Sequence, residues 1–311
     1  MEALMLTILC LYLNLLSNAI RSSFDCYLGN KDYFRVAVSV WKNSFEYGSV
    51  IRHSFDVLDT PTSRIVKRVS YLFCLKMQHF VKFPTTLETI KEQFYRIACM
   101  PDIIGVVDGI HIPIQNPGGP HAEAYRNHHK NFSINVQIVC GPDLRIYYIV
   151  ANQPASVDDN SIIQASALKR KMEQNLIDGI LLGDDGYECQ KYLLTPVIQP
   201  ETNSEENYNK VHMTTWNTVE HTIGVWKRLF PCLTKKLATN LRTTCHVIIA
   251  TSVLYNIFRT HGIEYLSHKK KTKLISVHPL GRYDASDRHT DTHIHTHVKR
   301  ITPLFFVGGQ I

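Results

Sequence analysis

No two cysteines of this chain stand at the C-x-x-C spacing. Its eight (Cys10, Cys26, Cys74, Cys99, Cys140, Cys189, Cys232 and Cys245) are scattered along the sequence. That leaves no spacing to support a zinc site or a dithiol redox motif. A chain of 311 residues has no need of disulfide staples, so the cysteines read as reduced, mostly buried thiols of an intracellular protein. No internal repeat is visible. Neither sign of charge dominates: 34 Lys and Arg against 27 Asp and Glu leave a net charge of +7, which suits a polyanionic partner without requiring one. Near the amino terminus, the apolar run LMLTILCLYLNLL is interrupted by Asn14 and followed by Asn18, too short and broken for a membrane span. Its length matches the apolar core of a signal peptide, with Ser17-Asn18-Ala19 as a cleavage-like triplet. The basic leading region of such a signal is missing, since the early charge is Glu2. The expectation is a buried helix in an N-terminal helical region, with no membrane contact.

What is present changes texture along the chain. Residues 20 to 100 lack a strand pattern. Thr60-Pro61-Thr62-Ser63 signals a helix start, and Thr86 to Ala98 repeats Leu87, Ile90, Phe94 and Ile97 at helical spacing. From Ile103 to Ile114 the sequence is β-branched and reads as a strand. Phe132 to Val139, with Ile134, Val136 and Ile138 alternating, is a second. A third runs from Leu144 to Ala151 after the turn Gly141-Pro142-Asp143, giving a hairpin or meander. Val157 to Gln174 predicts one helix and Gly179 to Leu182 a short buried strand. Gln199 to Asn209 predicts a loop. Asn217 to Phe230 and Leu241 to Phe258 predict helices. The order strand-strand-strand-helix-strand-helix is that of a mixed α/β domain. The tail beyond Gly262 carries Lys269-Lys270-Lys271-Thr272-Lys273 and the histidine-biased run HTDTHIHTH, which read as a solvated charge run and low-complexity sequence.

Three acids occupy unusual places. Asp108 interrupts an apolar strand beside Gly109. Asp184 ends a short apolar strand among glycines. Glu220 lies on an amphipathic helix, with Gly224 and Lys227 on the same side. Cleavage of a phosphodiester is served by two divalent cations about 3.5–4 Å apart, one activating the nucleophile and one stabilising the leaving oxygen. Hard cations such as Mg²⁺ require converging oxygen ligands. Each acid alone is a weak signal: a strand-end Asp is more often a turn residue, and a Glu before a Lys on a helix is usually a surface pair.

The motifs from Val81 to Arg259 resemble the transposases of PIF/Harbinger elements and the nuclease-like proteins derived from them. The similar pieces are VKFPTTLETIKEQFYRIACMPDIIGVVDGIHIPI, YRN followed by SINVQIVC, DLRIYYIVANQPASVDDNSII, LLGDDGY with YLLTPV, and ENYNKVH with VEHTIGVWKRLFPCL. They occur in the family's order and at family-like spacing. The resemblance implies a ribonuclease-H-like fold: a mixed sheet flanked by helices, preceded by an N-terminal helical region. It implies a catalytic DDE triad of Asp108, Asp184 and Glu220 binding Mg²⁺ or Mn²⁺. It also implies cleavage of DNA, a Myb-like partner protein, and a location in the nucleus and also the cytoplasm. Homo-oligomers are compatible with it. The division expected is 1–98 as an N-terminal helical region with a remnant helix-turn-helix-like segment, 99–261 as the nuclease domain, and 262–311 as the basic and histidine-biased tail.

The sequence departs from the family pattern in its basic shell. Asp185 follows the second acid where the family usually has Ser, and is itself a candidate ligand. His128-His129-Lys130 stand where Arg-Lys-Gly is usual, and Thr214 and Trp216 fill positions usually held by arginine. Asp159 matches a family acid that orients the cation's water; the plain reading of Asp158 and Asp159 is helix N-capping. His111 faces either the site or the core. Lys227 and Arg228 lead the candidates for phosphate contact, followed by Arg126, Lys130, Arg64, Lys67 and Arg68. Two functions stay open: a metal-dependent DNA endonuclease, and an inactive transposon-derived protein that binds DNA or a partner without turnover.

Overall fold

The computed structural model describes residues 61–261. The N-terminal apolar run, the lysine cluster and the histidine run lie outside the described residues. Three helices come first: α1 (Pro61–Leu75), α2 (Met77–Phe80) and α3 (Leu87–Ala98). The meander β1 (Ile103–Pro113), β2 (Ser133–Cys140) and β3 (Ile146–Pro154) follows. Then come α4 (Asp159–Ala165), α5 (Ala167–Glu173), β4 (Ile180–Leu182), β5 (Leu193–Leu194), α6 (Asn203–Leu229) and α7 (Leu241–His261).

The five strands form one sheet in the order β3-β2-β1-β4-β5. The first three pair antiparallel, while β4 runs parallel to β1 and β5 parallel to β4. This mixed sheet, covered by helices on both faces, is the ribonuclease-H-like arrangement that the motifs imply. The period-two pattern of β2 explains the layering. Ile134, Val136, Ile138 and Cys140 enter a large core with Val106, Ile110 and Ile112 of β1, Val219, Ile223 and Trp226 of α6, and Val253 and Leu254 of α7. Ile104, Val107 and Val139 face the other way, into a smaller core with Ile163, Leu168 and Met172 of α4 and α5. The N-terminal helices join the large core through Val66, Val69, Phe73, Ile90 and Phe94.

Three sequence-based boundaries need correction. The single helix expected over Val157 to Gln174 is two, because Ser166 adopts an extended conformation (φ −74°, ψ 153°) and its side chain caps α5 by accepting from Lys169 N–H. The segment read as a loop up to Asn209 already belongs to α6, which runs for 27 residues. Thr202 and Glu205 form a reciprocal capping box at its start. Tyr208 and Asn209 then tie that first part of the helix to Thr195 and Val197 beyond β5. The two-residue strand β5 was not anticipated. The cysteines also differ from expectation: the six described are free, as anticipated, but Cys140 alone of them is buried and Cys99 is exposed. No helix among the described residues is long and apolar enough to cross a membrane.

One buried amide joins the layers. Asn256 of α7, 2% exposed, accepts from Ile146 N–H (2.8 Å) and donates to the carbonyls of Ile146 (2.6 Å) and Phe80 (2.9 Å). It thereby ties the start of β3 and the end of α2 to α7. Replacing it with Leu leaves these buried backbone groups without their partner, and is expected to cost about 2–4 kcal/mol of unfolding free energy, read by denaturant titration of the full chain.

Candidate active site

The register of the sheet carries two acids to one place. Leu182 of β4 lies opposite Val106 of β1. Two residues further along each chain, past the last paired residue of β4, come Asp184 and Asp108, near enough that the charge of Asp184 acts on Asp108. Asp108 sits on the face covered by α6, in line with Val106 and Ile110. Its Oδ1 accepts from Gly109 N–H at 2.8 Å, and that of Asp184 accepts from Gly186 N–H at 3.1 Å.

A third carboxylate joins them. Asp158 caps α4, accepting from Ser161 N–H (2.8 Å) and Ser161 Oγ–H (2.7 Å). Asp159, next in sequence, leaves the capping role to its neighbour and turns inward. A Cβ added at Gly109 would fall inside the Asp159 carboxylate, so glycine at 109 is what admits that group so close to the strand carrying Asp108. Asn135 Nδ2 donates to Asp159 Oδ1 at 2.8 Å.

The electrostatics follow from this crowding. Burial drives the Asp108 carboxyl well above its ordinary range, and Asp184 and Asp159 push it further; the Gly109 hydrogen bond opposes them, and Glu220 adds the smallest contribution. Asp184 is pushed up to about 6, by burial first, then by Asp159 and Asp185, against the Gly186 bond. Asp159 is raised by burial and by Asp158, while Asn135 lowers it. Tyr187, whose hydroxyl accepts from Gln137 at 3.0 Å, is held well above its usual range by burial and by the same three acids.

Helix α6 supplies the remaining groups. Glu220 is exposed on the flank of the helix and is the outlying member of the expected triad. Lys227 on the same flank is partly buried; desolvation lowers its pKa and the negative charge of Asp108 opposes that. Between them, a Cβ built on Gly224 meets no atom within 4 Å, so the helix presents a gap there. Among the described residues, no group of three or more His, Cys, Asp or Glu side chains stands close enough as placed to hold one ion. The carboxylates share an electrostatic field, and ligation of a common cation requires their side chains to turn inward.

The other candidates are dispersed. Asp185, Arg228, Lys130, Lys67 and Arg68 are exposed, and Arg64 lies in α1 with its side chain outside the described ones. Arg126 is occupied within the chain: it pairs with Glu123 through two bonds of 2.7 and 2.9 Å and lies 4.3 Å over the Phe132 ring. His111 shares the strand face of Gly109, opposite to that of Asp108, with Nδ1 3.1 Å from Ser133 Oγ. Trp216 packs against the large core. Residues not singled out from the sequence are Asn135, Gln137 and Tyr187. Their signal is the polar series Ser133, Asn135, Gln137 on alternate positions of β2, which reads as a solvent face until both faces prove buried. A cleft of about 660 Å³ lies elsewhere, lined by Lys91, Asp102, Asp178 and Tyr192 among others. It opens at the amino-terminal ends of β1 and β4, about 20 Å along β1 from Asp108, and has no part in the acid cluster.

Carboxylate oxygens are the donor type that a hard divalent cation takes, and their burial as charges opposes folding. The folded state holds the Asp184 proton more tightly than the unfolded chain, so stability declines as pH rises from the ordinary carboxylate value of 3.8 through about 6. Asp184→Asn keeps an oxygen for Gly186 and removes the charge. It is expected to raise metal-free stability at pH 7 by about 1–3 kcal/mol, with the difference from wild type shrinking by pH 4; thermal unfolding at the two pH values checks both.

A family model described as DDE superfamily endonuclease matches residues 107–256. The chain is 32% identical over 212 residues to "Putative nuclease HARBI1" of Homo sapiens, covering 66% of this chain and 60% of that protein. Against the protein of the same name from Xenopus laevis it is 27% identical over 219 residues, covering 68% and 63%. Against "Protein ALP1-like" of Arabidopsis thaliana it is 28% identical over 195 residues, covering 57% and 48%. The chain thus spans about 60% of the length of the first of these relatives. No solved structure matches it. Motif order and sheet topology agree with these matches, in which residues 107–256 are similar to the DDE superfamily endonuclease family.

Proposed function

We propose that the protein is a transposase-derived, divalent-metal-dependent DNA endonuclease whose acids are Asp108, Asp184 and Glu220. The observation that carries this is the strand register that pairs Leu182 with Val106, each two residues before an acid of the set, together with the charge of Asp184 and Asp159 acting on Asp108 and a partly buried lysine on the helix that bears Glu220. When bound, two Mg²⁺ or Mn²⁺ ions would activate the attacking hydroxyl and neutralise charge at the phosphate. Asp108 and Asp184 would supply oxygen ligands from the strand ends, and Glu220 would close the site by turning in from α6. Asp159 and Asp185 are the additional carboxylates within reach. Lys227 lies near Asp108 and would bind a phosphate oxygen, the gap over Gly224 would let the strand pass, and Arg228 one residue on would meet the neighbouring phosphate. The same reading takes DNA as the substrate, a Myb-like protein as the partner that delivers it, and the nucleus as the location.

A second reading draws on the outlying position of Glu220 and on Thr214 and Trp216, which bring no charge: the same surface would bind DNA without turnover. One experiment separates the two. Purified full-length protein is incubated with nicked and blunt DNA and titrated with Mg²⁺ or Mn²⁺. Cleavage is expected in wild type, with a loss of at least about 100-fold in Asp108→Ala and in Glu220→Gln. Cleavage that persists unchanged in Asp108→Ala refutes the site, and DNA retention without any cleavage in wild type establishes the binding reading. Gly224→Leu is expected to keep or raise thermal stability, since glycine weakens a helix interior by about 1 kcal/mol. It is expected to lower cleavage about tenfold or more by filling the gap.

A further inference from the structure

Strand β2 is buried on both sides although every second residue of its first half is polar. Ser133, Asn135 and Gln137 are 2%, 3% and 0% exposed. Burying polar side chains is unfavourable unless their hydrogen bonds are made, and two of these three are committed to one residue. Asn135 Nδ2 donates to Asp159 Oδ1 (2.8 Å) and to the Val157 carbonyl (2.9 Å). Gln137 Nε2 donates to the Asp159 carbonyl (2.9 Å) and to the Tyr187 hydroxyl (3.0 Å). Asp159 is thus gripped at side chain and backbone by the same strand, and pressed against Gly109 on the next.

The amides are oriented by this task. Asp159 Oδ1, the Asp159 carbonyl and the Val157 carbonyl are all acceptors, so the NH₂ ends must face them. The opposite ends, Asn135 Oδ1 and Gln137 Oε1, are buried with no hydrogen-bond partner among the described residues. Two unsatisfied acceptors are a cost that an apolar pair at the same places would avoid. The grip also holds a carboxylate where it repels Asp108 and Asp184. Neither feature helps the fold, and both accompany a carboxylate held in one place.

We propose that Asn135 and Gln137 are positioning residues for the metal-dependent reaction, acting through Asp159 by fixing its carboxylate against Gly109, the residue after Asp108. The inference rests on reading the acids as a nuclease site. A group that orients a ligand alters metal affinity about 10–100-fold when removed, and its effect vanishes when the ligand itself is gone.

The test measures Mn²⁺ affinity by calorimetry, with the thermal midpoint of metal-free protein alongside. The full-length proteins compared are wild type, Asn135→Ala, Asp159→Ala and the double variant. Asn135→Ala is expected to weaken Mn²⁺ binding about tenfold or more, and the double variant to bind no more weakly than Asp159→Ala alone. Gln137→Met, which conserves volume, is expected to weaken binding in the same way and covers the case in which Asn135→Ala does not fold. Unchanged Mn²⁺ affinity in the folded variants, with only a lowered midpoint, overturns the proposal, as do effects that simply add in the double variant. Wild type that binds no Mn²⁺ overturns the nuclease reading beneath it, an outcome distinct from the other two.

Discussion

Repulsion between carboxylates that the backbone does not allow to separate is the constraint on which the rest depends. Asp108 and Asp184 each follow by two residues the pair Val106 and Leu182, where β4 runs parallel to β1, and the charge of Asp184 acts on Asp108. Asp159 is held beside them by amides from β2 and by the absence of a side chain at Gly109. Burial raises the proton affinity of all three acids; Asp159 adds to it at Asp184, and Asp159 and Asp184 both add to it at Asp108. The same crowding of negative charge favours a hard cation.

The surrounding fold offsets that strain. The sheet is covered on both faces, by α6 and α7 with the N-terminal helices on one side and by α4 and α5 on the other. Asn256 joins α7 to β3 and α2 through its side-chain amide. At the far ends of β1 and β4, Lys91 of α3 lies 3.0 Å from Asp178, 3.1 Å from Glu88 and 3.8 Å from Asp102; being at the surface, these pairs add little each. Rigid strands therefore position the acids, while Glu220 and Lys227 ride on a helix whose first turns are anchored beyond β5. The division gives two fixed carboxylate strands and one helical flank, with the gap at Gly224 lying on the flank.

Much of this was legible in the sequence because period and punctuation are local signals. The β-branched run of β1, the alternation in β2 and the Gly141-Pro142-Asp143 turn each state their structure without reference to anything distant. What failed did so for definable reasons. The start of α6 is polar nearly all round, so Glu206, Asn207 and Lys210 conceal a helix that the Thr202–Glu205 spacing would have signalled. Ser166 breaks a helical pattern without proline or glycine. Strand β5 has two residues and exists only because β4 is there to pair with it. The roles of Asp158 and Asp159 look interchangeable in sequence; only the approach to Gly109 assigns one to the cap and the other to the site. Asn135 and Gln137 went unmarked because alternation reports that a strand has two faces, and says nothing of what covers the second.

The central claim is spatial: the ends of β1 and β4 bring Asp108 and Asp184 to a common cation, with Asp159 beside them. It is tested most directly by diffraction from crystals of the full chain grown with Mn²⁺, using the metal's anomalous signal to locate it. The account predicts anomalous density between the Asp108 and Asp184 carboxylates, with Glu220 turned toward it. Manganese bound elsewhere, with those two carboxylates facing away from one another, would contradict it.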